Sequence, residues 1–308
     1  MPATPVAKAA TAVPVPAPAS ASAVPALPAL FVLTWSTGYV VGKMGLPYAG
    51  PFTLLFLRFA VAALILLAIA LATRAPWPTS RRQFGHLAVV GLLLQALQFA
   101  GLYSALKLGV GAGVSALVIG TMPVFTALGA ALFLGERVKL RQRIGLAGGL
   151  CGVALVVGDK LAASAGGGGI GGFGACLLAL AGITLGTLYQ KRFCGAMDLR
   201  TGGFVQLLVA SLVALGLALG VEGFDVQWTP RLLFASAWLS IVNSIGAISL
   251  LFILMRKGEA SKVASLFYLI PGVTAFMGYI FLGETLSSMS VAGFVVTAGA
   301  VYACTRNR

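Results

Sequence analysis

The sequence predicts an all-α polytopic membrane protein, with ten transmembrane helices arranged as two inverted five-helix repeats. Three observations lead to this prediction. The 308 residues are 59% hydrophobic and only 9% charged, whereas soluble domains carry about 25% charged residues. Long apolar runs follow one another with only short breaks between them. A constant offset of 148 positions brings the two halves of the chain into register.

Residues 1–25 precede the apolar runs as a tail of mostly alanine, proline, serine and valine. We expect this tail to be disordered, because recurrent proline breaks helices and short side chains bury little apolar area. Helices are predicted at 26–42, 52–73, 84–106, 112–134, 140–158, 171–190, 201–220, 232–255, 260–282 and 287–305. Each run is about long enough to cross ~30 Å of hydrocarbon. The runs lack the alternation of barrel strands, so helices are the expected spanning structure.

The offset of 148 divides the chain into a first repeat at 26–158, a Gly-rich linker at 159–170 and a second repeat at 171–308. It aligns glycine, lysine, proline and glutamate with residues of the same type. The matched pairs include Gly38 with Gly186, Lys43 with Lys191, Pro123 with Pro271, and Glu136 with Glu284. Because each repeat holds an odd number of helices, the second repeat is predicted to be inverted in the membrane.

The basic residues predict the orientation of the chain. The segment FLGERVKLRQR at 133–143 contains four bases, whereas its copy FLGETLSSMS at 281–290 contains none. With the N-terminus in the cytoplasm, sixteen bases fall in cytoplasmic segments and four on the other side, as the positive-inside rule requires. We therefore expect both termini in the cytoplasm and the protein in a bacterial inner membrane. The net charge of +14 follows from this topology and does not indicate a nucleic-acid partner.

Short motifs recur at defined places in the two halves. They are WSTGYVVGK at 35–43, FLRF at 56–59, and FLGE at the end of a proline-containing segment in both repeats. In these motifs and in their order, residues 26–308 resemble EamA-type members of the drug/metabolite transporter superfamily. The resemblance implies a secondary transporter with a central cavity that moves small metabolites, often exporting amino acids or related solutes. A multidrug or other metabolite exporter is the alternative, because the motifs do not determine the solute.

Eight residues are candidates for the cavity wall or for solute binding. They are Tyr39, Arg58, Gln95, Phe99, Gln206, Asn243, Phe267 and Tyr268. Arg58 is the only charge well inside a predicted helix, so it should face protein or water. It either attracts a solute carboxylate or anchors neighbouring helices. Gln95 and Asn243 are related by the offset, and they either contact the solute or form interhelical hydrogen bonds. Trp35 and Tyr103 are further aromatic candidates, for the cavity or for ordinary packing.

Pro123 and Pro271 are predicted in the middle of the fourth and ninth helices, at equivalent depth. A proline removes an amide donor, so each is a candidate hinge or leaves a carbonyl facing the cavity. The alternative is a kink that only shapes packing. Four glycines between 145 and 152 predict a close-packing face on the fifth helix, towards another helix or a second subunit. A homo-oligomer is therefore left open.

Other functional classes find little support in the residues present. No catalytic residues and no metal ligands are predicted, because no nucleophile, acid–base pair or ligand cluster converges. An enzyme is therefore not expected, and no cofactor is implied. The seven acidic residues fall at helix ends or in loops, which favours facilitated or exchange transport over an intramembrane proton relay. A channel is the remaining membrane class, but no ring of charges supports it. The expected partners are a small-molecule solute and the lipid bilayer.

Overall fold

The computed structural model describes residues 26–134, 140–162, 169–195, 197–256, 266–267, 269–285 and 287–305. Within these ranges the regular elements are helical, apart from an isolated antiparallel bridge between Ala49 and Val226. The all-α class predicted from the sequence is therefore confirmed. The predicted tail, half of the Gly-rich linker (163–168), Glu136 and Tyr268 lie outside the described residues.

The helices follow one another with short connections. We number them α1 (Ala26–Gly45), α2 (Pro51–Ala72), α3 (Arg81–Lys107), α4 (Ala112–Gly120), α5 (Met122–Leu134), α6 (Leu140–Ala162), α7 (Gly169–Phe193), α8 (Leu199–Glu222), α9 (230–256), α10 (Leu269–Leu282) and α11 (Ser288–Thr305). Six described stretches are long and apolar enough to cross a membrane, and shorter apolar helices lie at 143–156, 269–282 and 288–300. The arrangement of ten inverted spans stays a prediction.

Helix starts are marked by side chains that accept from free backbone amides. Ser80 accepts from the amide of Gln83 at the start of α3, and Thr229 accepts from the amide of Leu232 at the start of α9. Pro51 occupies the first turn of α2, where the absence of an amide proton has no cost. Local sequence therefore fixes where these helices begin.

Two helices contain a widened, π-helical middle. These segments are Gly91–Leu97 in α3 and Trp238–Ala247 in α9. The first contains Gln95 and the second contains Asn243, which the offset of 148 relates. π-Helical turns are rare and occur frequently at functional sites. Both halves of the chain thus place a wide turn at the same position.

Helices from the two halves pack against each other. α2 packs along α8, α4 along α10, and α6 along α11. At the last of these contacts, a Cβ added to Gly152 would lie 2.9 Å from the carbonyl oxygen of Gly293, so the two backbones meet directly. The predicted glycine face of the fifth helix therefore meets another helix of the same chain.

Pro123 and Pro271 each lie in the first turn of a described helix, whereas a position in the middle of one continuous helix was predicted. The chain leaves α4 at Thr121, whose hydroxyl donates to the carbonyl of Val118 at 2.6 Å, and Pro123 is the second residue of α5. Pro271 is the third residue of α10. In the first turn a proline does not break an intrahelical hydrogen bond, which explains why the apolar run divides at this point. The role of these prolines as hinges stays a prediction.

Candidate functional site

The guanidinium of Arg58 is the centre of a buried polar cluster. Arg58 lies in α2 and is only 4% exposed. Its Nε donates to the hydroxyl of Ser244 in α9, and its Nη1 donates to the hydroxyl of Tyr103 in α3, both at 2.9 Å. Both hydrogen-bond partners are neutral, and no described carboxylate lies within ion-pair distance of Arg58.

Aromatic rings complete the surroundings of this cation. The guanidinium carbon lies 4.2 Å from the centroid of the Phe99 ring, a distance at which cation–π attraction is effective. Phe99 also packs edge-on against Phe59 and Tyr103. Phe99 and Tyr103 are one turn apart, just after the π-helical segment of α3. The structure therefore brings together two predicted residues, Arg58 and Phe99.

Asn243 bonds α9 to α1. Its Nδ2 donates to the carbonyl of Thr34 at 2.7 Å, and its Oδ1 lies 3.5 Å from the donating hydroxyl of Thr37. The indole nitrogen of Trp238 donates to the same hydroxyl at 2.9 Å. These contacts are interhelical hydrogen bonds, one of the two roles considered for Asn243. The residue after it, Ser244, is the one that contacts Arg58.

The other predicted residues lie apart from this cluster. Phe267 packs against Phe31 and Trp35, with ring centroids 5.3 Å away from each. It also borders a cavity of about 330 Å³ whose apolar wall includes Pro271. Tyr39 is buried in the core. Gln206 is buried in α8 and Gln95 is partly buried in α3. In the described part of the chain, no hydrogen bond connects either glutamine to Arg58.

An ion pair that sequence reasoning missed joins the ends of three helices. The Lys43 ammonium lies 2.7 Å from Glu284 Oε1 and donates to the carbonyl of Val110 at 3.2 Å. The amide of Ala112, the first residue of α4, donates to both Glu284 oxygens at 2.8 and 2.9 Å. The sequence indicated only that Lys43 and Glu284 lie at helix ends. The two residues are 241 positions apart in the sequence, and no sequence pattern indicated that they would be in contact.

A second carboxylate makes a similar contact at the end of α8. Glu222 accepts from the backbone amides of Phe52 and Thr53 at 2.8 Å and from the Thr53 hydroxyl at 2.6 Å. It thereby stabilises the positive end of α2. The neighbouring loops are also joined, because the amide of Gln227 donates to the carbonyl of Tyr48 at 2.8 Å.

The sequence profile of the EamA-like transporter family matches the chain twice, over residues 26–158 and 171–306. The chain belongs to this family. The resemblance noted in the sequence is confirmed, and the EamA-like assignment makes the protein a membrane transporter. No group of three or more histidine, cysteine, aspartate or glutamate side chains that could hold a metal is found among the described residues.

Individual relatives of this EamA-like chain carry related descriptions. It is 29% identical over 280 residues to the uncharacterized transporter YvbV of Bacillus subtilis, covering 88% of this chain and 87% of that protein. It is also 29% identical to the uncharacterized inner membrane transporter YedA of Escherichia coli K12, covering 86% and 84%. A Salmonella typhimurium protein named "probable amino-acid metabolite efflux pump" is 29% identical, covering 90% and 92%.

A solved structure shares the fold. One crystal structure superimposes with a TM-score of 0.61 at 17% sequence identity, covering 91% of this chain and 98% of the other. At this identity the likeness concerns the fold alone.

Proposed function

We propose that this EamA-like transporter is a secondary transporter that exports amino acids or related small metabolites by alternating access between its two halves. The observation that carries the proposal is the buried Arg58, held only by neutral described groups at the contact between α2, α3 and α9. The Salmonella relative named as an amino-acid metabolite efflux pump supports the choice of solute. The proposed partners are the solute and the bilayer, without a nucleic acid.

The chemistry of Arg58 favours a solute with a carboxylate. A charged side chain at the centre of a membrane costs about 2.5–3.5 kcal/mol on insertion scales, so it is retained where it has a role. The hydroxyls of Ser244 and Tyr103 fix the guanidinium without neutralising it. A planar guanidinium matches a carboxylate geometrically. A bound carboxylate would supply the missing counter-charge.

The origin of these contacts supports alternating access. Arg58 and Tyr103 belong to the first half of the chain, whereas Ser244 belongs to the second. A movement of one half against the other would therefore change the hydrogen bonds of Arg58, and with them its affinity for a solute. Inverted halves around a central site are a recurring arrangement in secondary transporters.

Export of apolar drugs is the second candidate function. It is favoured by the aromatic cluster of Phe31, Trp35 and Phe267 and by the apolar cavity of about 330 Å³ that Phe267 borders. Pockets with mostly apolar walls suit drug-sized ligands. The two candidates differ in whether the solute must carry a carboxylate.

The test is counterflow into liposomes that contain the purified full-length protein. Labelled amino acids are compared with their amides, which lack the carboxylate, and with aromatic drugs, each with and without a pH gradient. We expect uptake of some amino acids but not of their amides, regardless of the gradient. The Arg58→Lys variant, which keeps the charge but not both hydrogen bonds, should transport more slowly. Equal uptake of acids and amides would contradict a carboxylate site, and strict dependence on the gradient would contradict facilitated or exchange transport.

A further inference from the structure

The ion pair between Lys43 and Glu284 joins helices from both halves of the chain. Lys43 lies in the last turn of α1, and Glu284 lies just after the end of α10. The carboxylate also binds the first amide of α4, at Ala112. A single carboxylate therefore holds three helix ends together. The ends of α1 and α4 belong to the first half of the chain, whereas Glu284 and α10 belong to the second.

The backbone around Glu284 leaves space for the carboxylate. A Cβ added at Gly278 would lie 2.8 Å from Oε2, and one added at Gly111 would lie 3.0 Å from the same atom. Any larger residue at these two positions would displace the carboxylate. Its charge is favourable there, because the amide end of a helix carries partial positive charge. The two glycines, one from each half of the chain, therefore leave space for this carboxylate.

The ion pair lies at one end of the contact between α1 and α10. Two turns before Lys43, the hydroxyl of Ser36 lies 3.5 Å from the carbonyl of Ile270 in α10, and Ser36 is completely buried. Further along the same contact, Trp35 packs against Phe267, which borders the cavity. Separation of α1 from α10 at the ion pair would open a route from that end of the molecule towards this region.

The pair is suited to repeated opening. The side chains of Lys43 and Glu284 are 24% and 16% exposed, so neither group is sealed in the interior. Ion pairs near a protein surface contribute little net stability, and breaking one costs less than breaking a fully buried pair. The distribution of basic residues predicts that this end of the molecule faces away from the cytoplasm.

We propose that Lys43 and Glu284 form a gate of the transporter on the non-cytoplasmic side, which is closed in this structure. The pair holds α1 and α10 together, and it must break each time the route to the outer face opens. The proposal rests on the alternating access proposed above. Lys43 and Glu284 act by positioning helices, and neither has to contact the solute.

The test measures access to position 36 in right-side-out membrane vesicles. Ser36→Cys is a nearly isosteric change, and its reaction with a membrane-impermeant maleimide is followed by peptide mass spectrometry. In Glu284→Gln or Lys43→Gln, which remove the ion pair, we expect labelling to be about fivefold faster. A partly exposed ion pair that contributes about 1 kcal/mol changes an equilibrium by about this factor. Glu222→Gln is the matched control, because it removes another helix-capping carboxylate but no described ion pair. It should leave the labelling rate unchanged.

Unchanged labelling in both Glu284→Gln and Lys43→Gln would overturn the gate. An equal increase in Glu222→Gln would do the same, because it would indicate general loosening. Thermal unfolding of each variant identifies misfolded protein, and Lys43→Gln provides the test if Glu284→Gln does not fold. Labelling requires no solute, so the two proposals can fail separately. Faster labelling without transport of any solute by the parent would refute the proposed function and leave the gate. Transport with unaltered labelling would refute the gate alone.

Discussion

The hydroxyl of Tyr103 offers the sharpest test of the Arg58 cluster. It accepts the Nη1 hydrogen bond of Arg58 at 2.9 Å, and Tyr103 is completely buried. Tyr103→Phe removes only this oxygen and leaves a donor of a buried charged group unpaired. Loss of a hydrogen bond to a charged group costs about 1.5–3 kcal/mol. We therefore expect the free energy of unfolding to fall by about this amount.

The same change should weaken binding of a carboxylate solute. Without the hydroxyl, the guanidinium loses one of the two bonds that orient it. Only part of the lost energy reaches the binding step, so we expect the half-saturation concentration for a carboxylate solute to rise by about three- to tenfold. Counterflow into liposomes measures this value, and thermal unfolding in detergent measures stability. Tyr279→Phe, at an exposed tyrosine, is the control for the chemical change.

Stability and half-saturation concentration together show whether the Tyr103 hydroxyl acts on solute binding or only on helix packing. If Tyr103→Phe unfolds earlier but keeps the half-saturation concentration of the parent, then Arg58 and Tyr103 only anchor helices. If neither value changes, the hydrogen bond does not contribute as the geometry indicates. A rise in half-saturation that is equal for acids and amides would show that the cavity changed shape, without a specific effect on the carboxylate contact.

Three further predictions concern two contacts between helices and one contact at a helix start. Asn243→Asp replaces the amide that donates to the Thr34 carbonyl with an acceptor. We therefore expect the free energy of unfolding, measured by thermal unfolding, to fall by about 1–3 kcal/mol. Unchanged stability would show that this hydrogen bond is not made. Glu222→Gln removes the charge at the start of α2, so the free energy of unfolding should fall by about 1 kcal/mol. Thermal unfolding measures this loss, and unchanged stability would contradict the capping role. The Arg200 guanidinium, by hydrogen bonding, holds the pKa of the Asp198 carboxyl below its ordinary value. The stabilisation of the folded state by the ionised Asp198 carboxylate is therefore present at neutral pH. It is lost as the pH falls through the lowered pKa, below about pH 4. The Asp198→Asn variant should therefore lose less thermal stability on acidification than the parent.

The helices were predictable from sequence because they depend on local composition. The second helix was predicted at 52–73 and spans Pro51–Ala72, since an unbroken apolar run determines both ends. The fourth was predicted as one helix at 112–134, but it divides at Thr121. An apolar run that contains a proline is compatible with one kinked helix or with two helices. Packing against the rest of the protein determines which of the two forms.

The candidate site was predictable only in part. Arg58 was recognisable because a charge inside an apolar run is rare. Its partner Ser244 was not, because the rotation of α9 that turns Ser244 towards Arg58 depends on the π-helical turn in Trp238–Ala247. The contact between Lys43 and Glu284 likewise depends on how the two halves dock. Side chains so distant in sequence acquire partners only through tertiary structure.

The paired wide turns also carry information about the history of the chain. A π-helical turn holds more residues than an α-helical one, so an insertion in one half alone would have changed the spacing between the halves. The spacing is 148 before these turns, from Gly38 to Gly186, and still 148 after them, from Pro123 to Pro271. The extra residues were therefore inherited by both halves or gained equally in each. Deleting one residue from a single wide turn would shift all later residues of that half by one position against the partners they now meet.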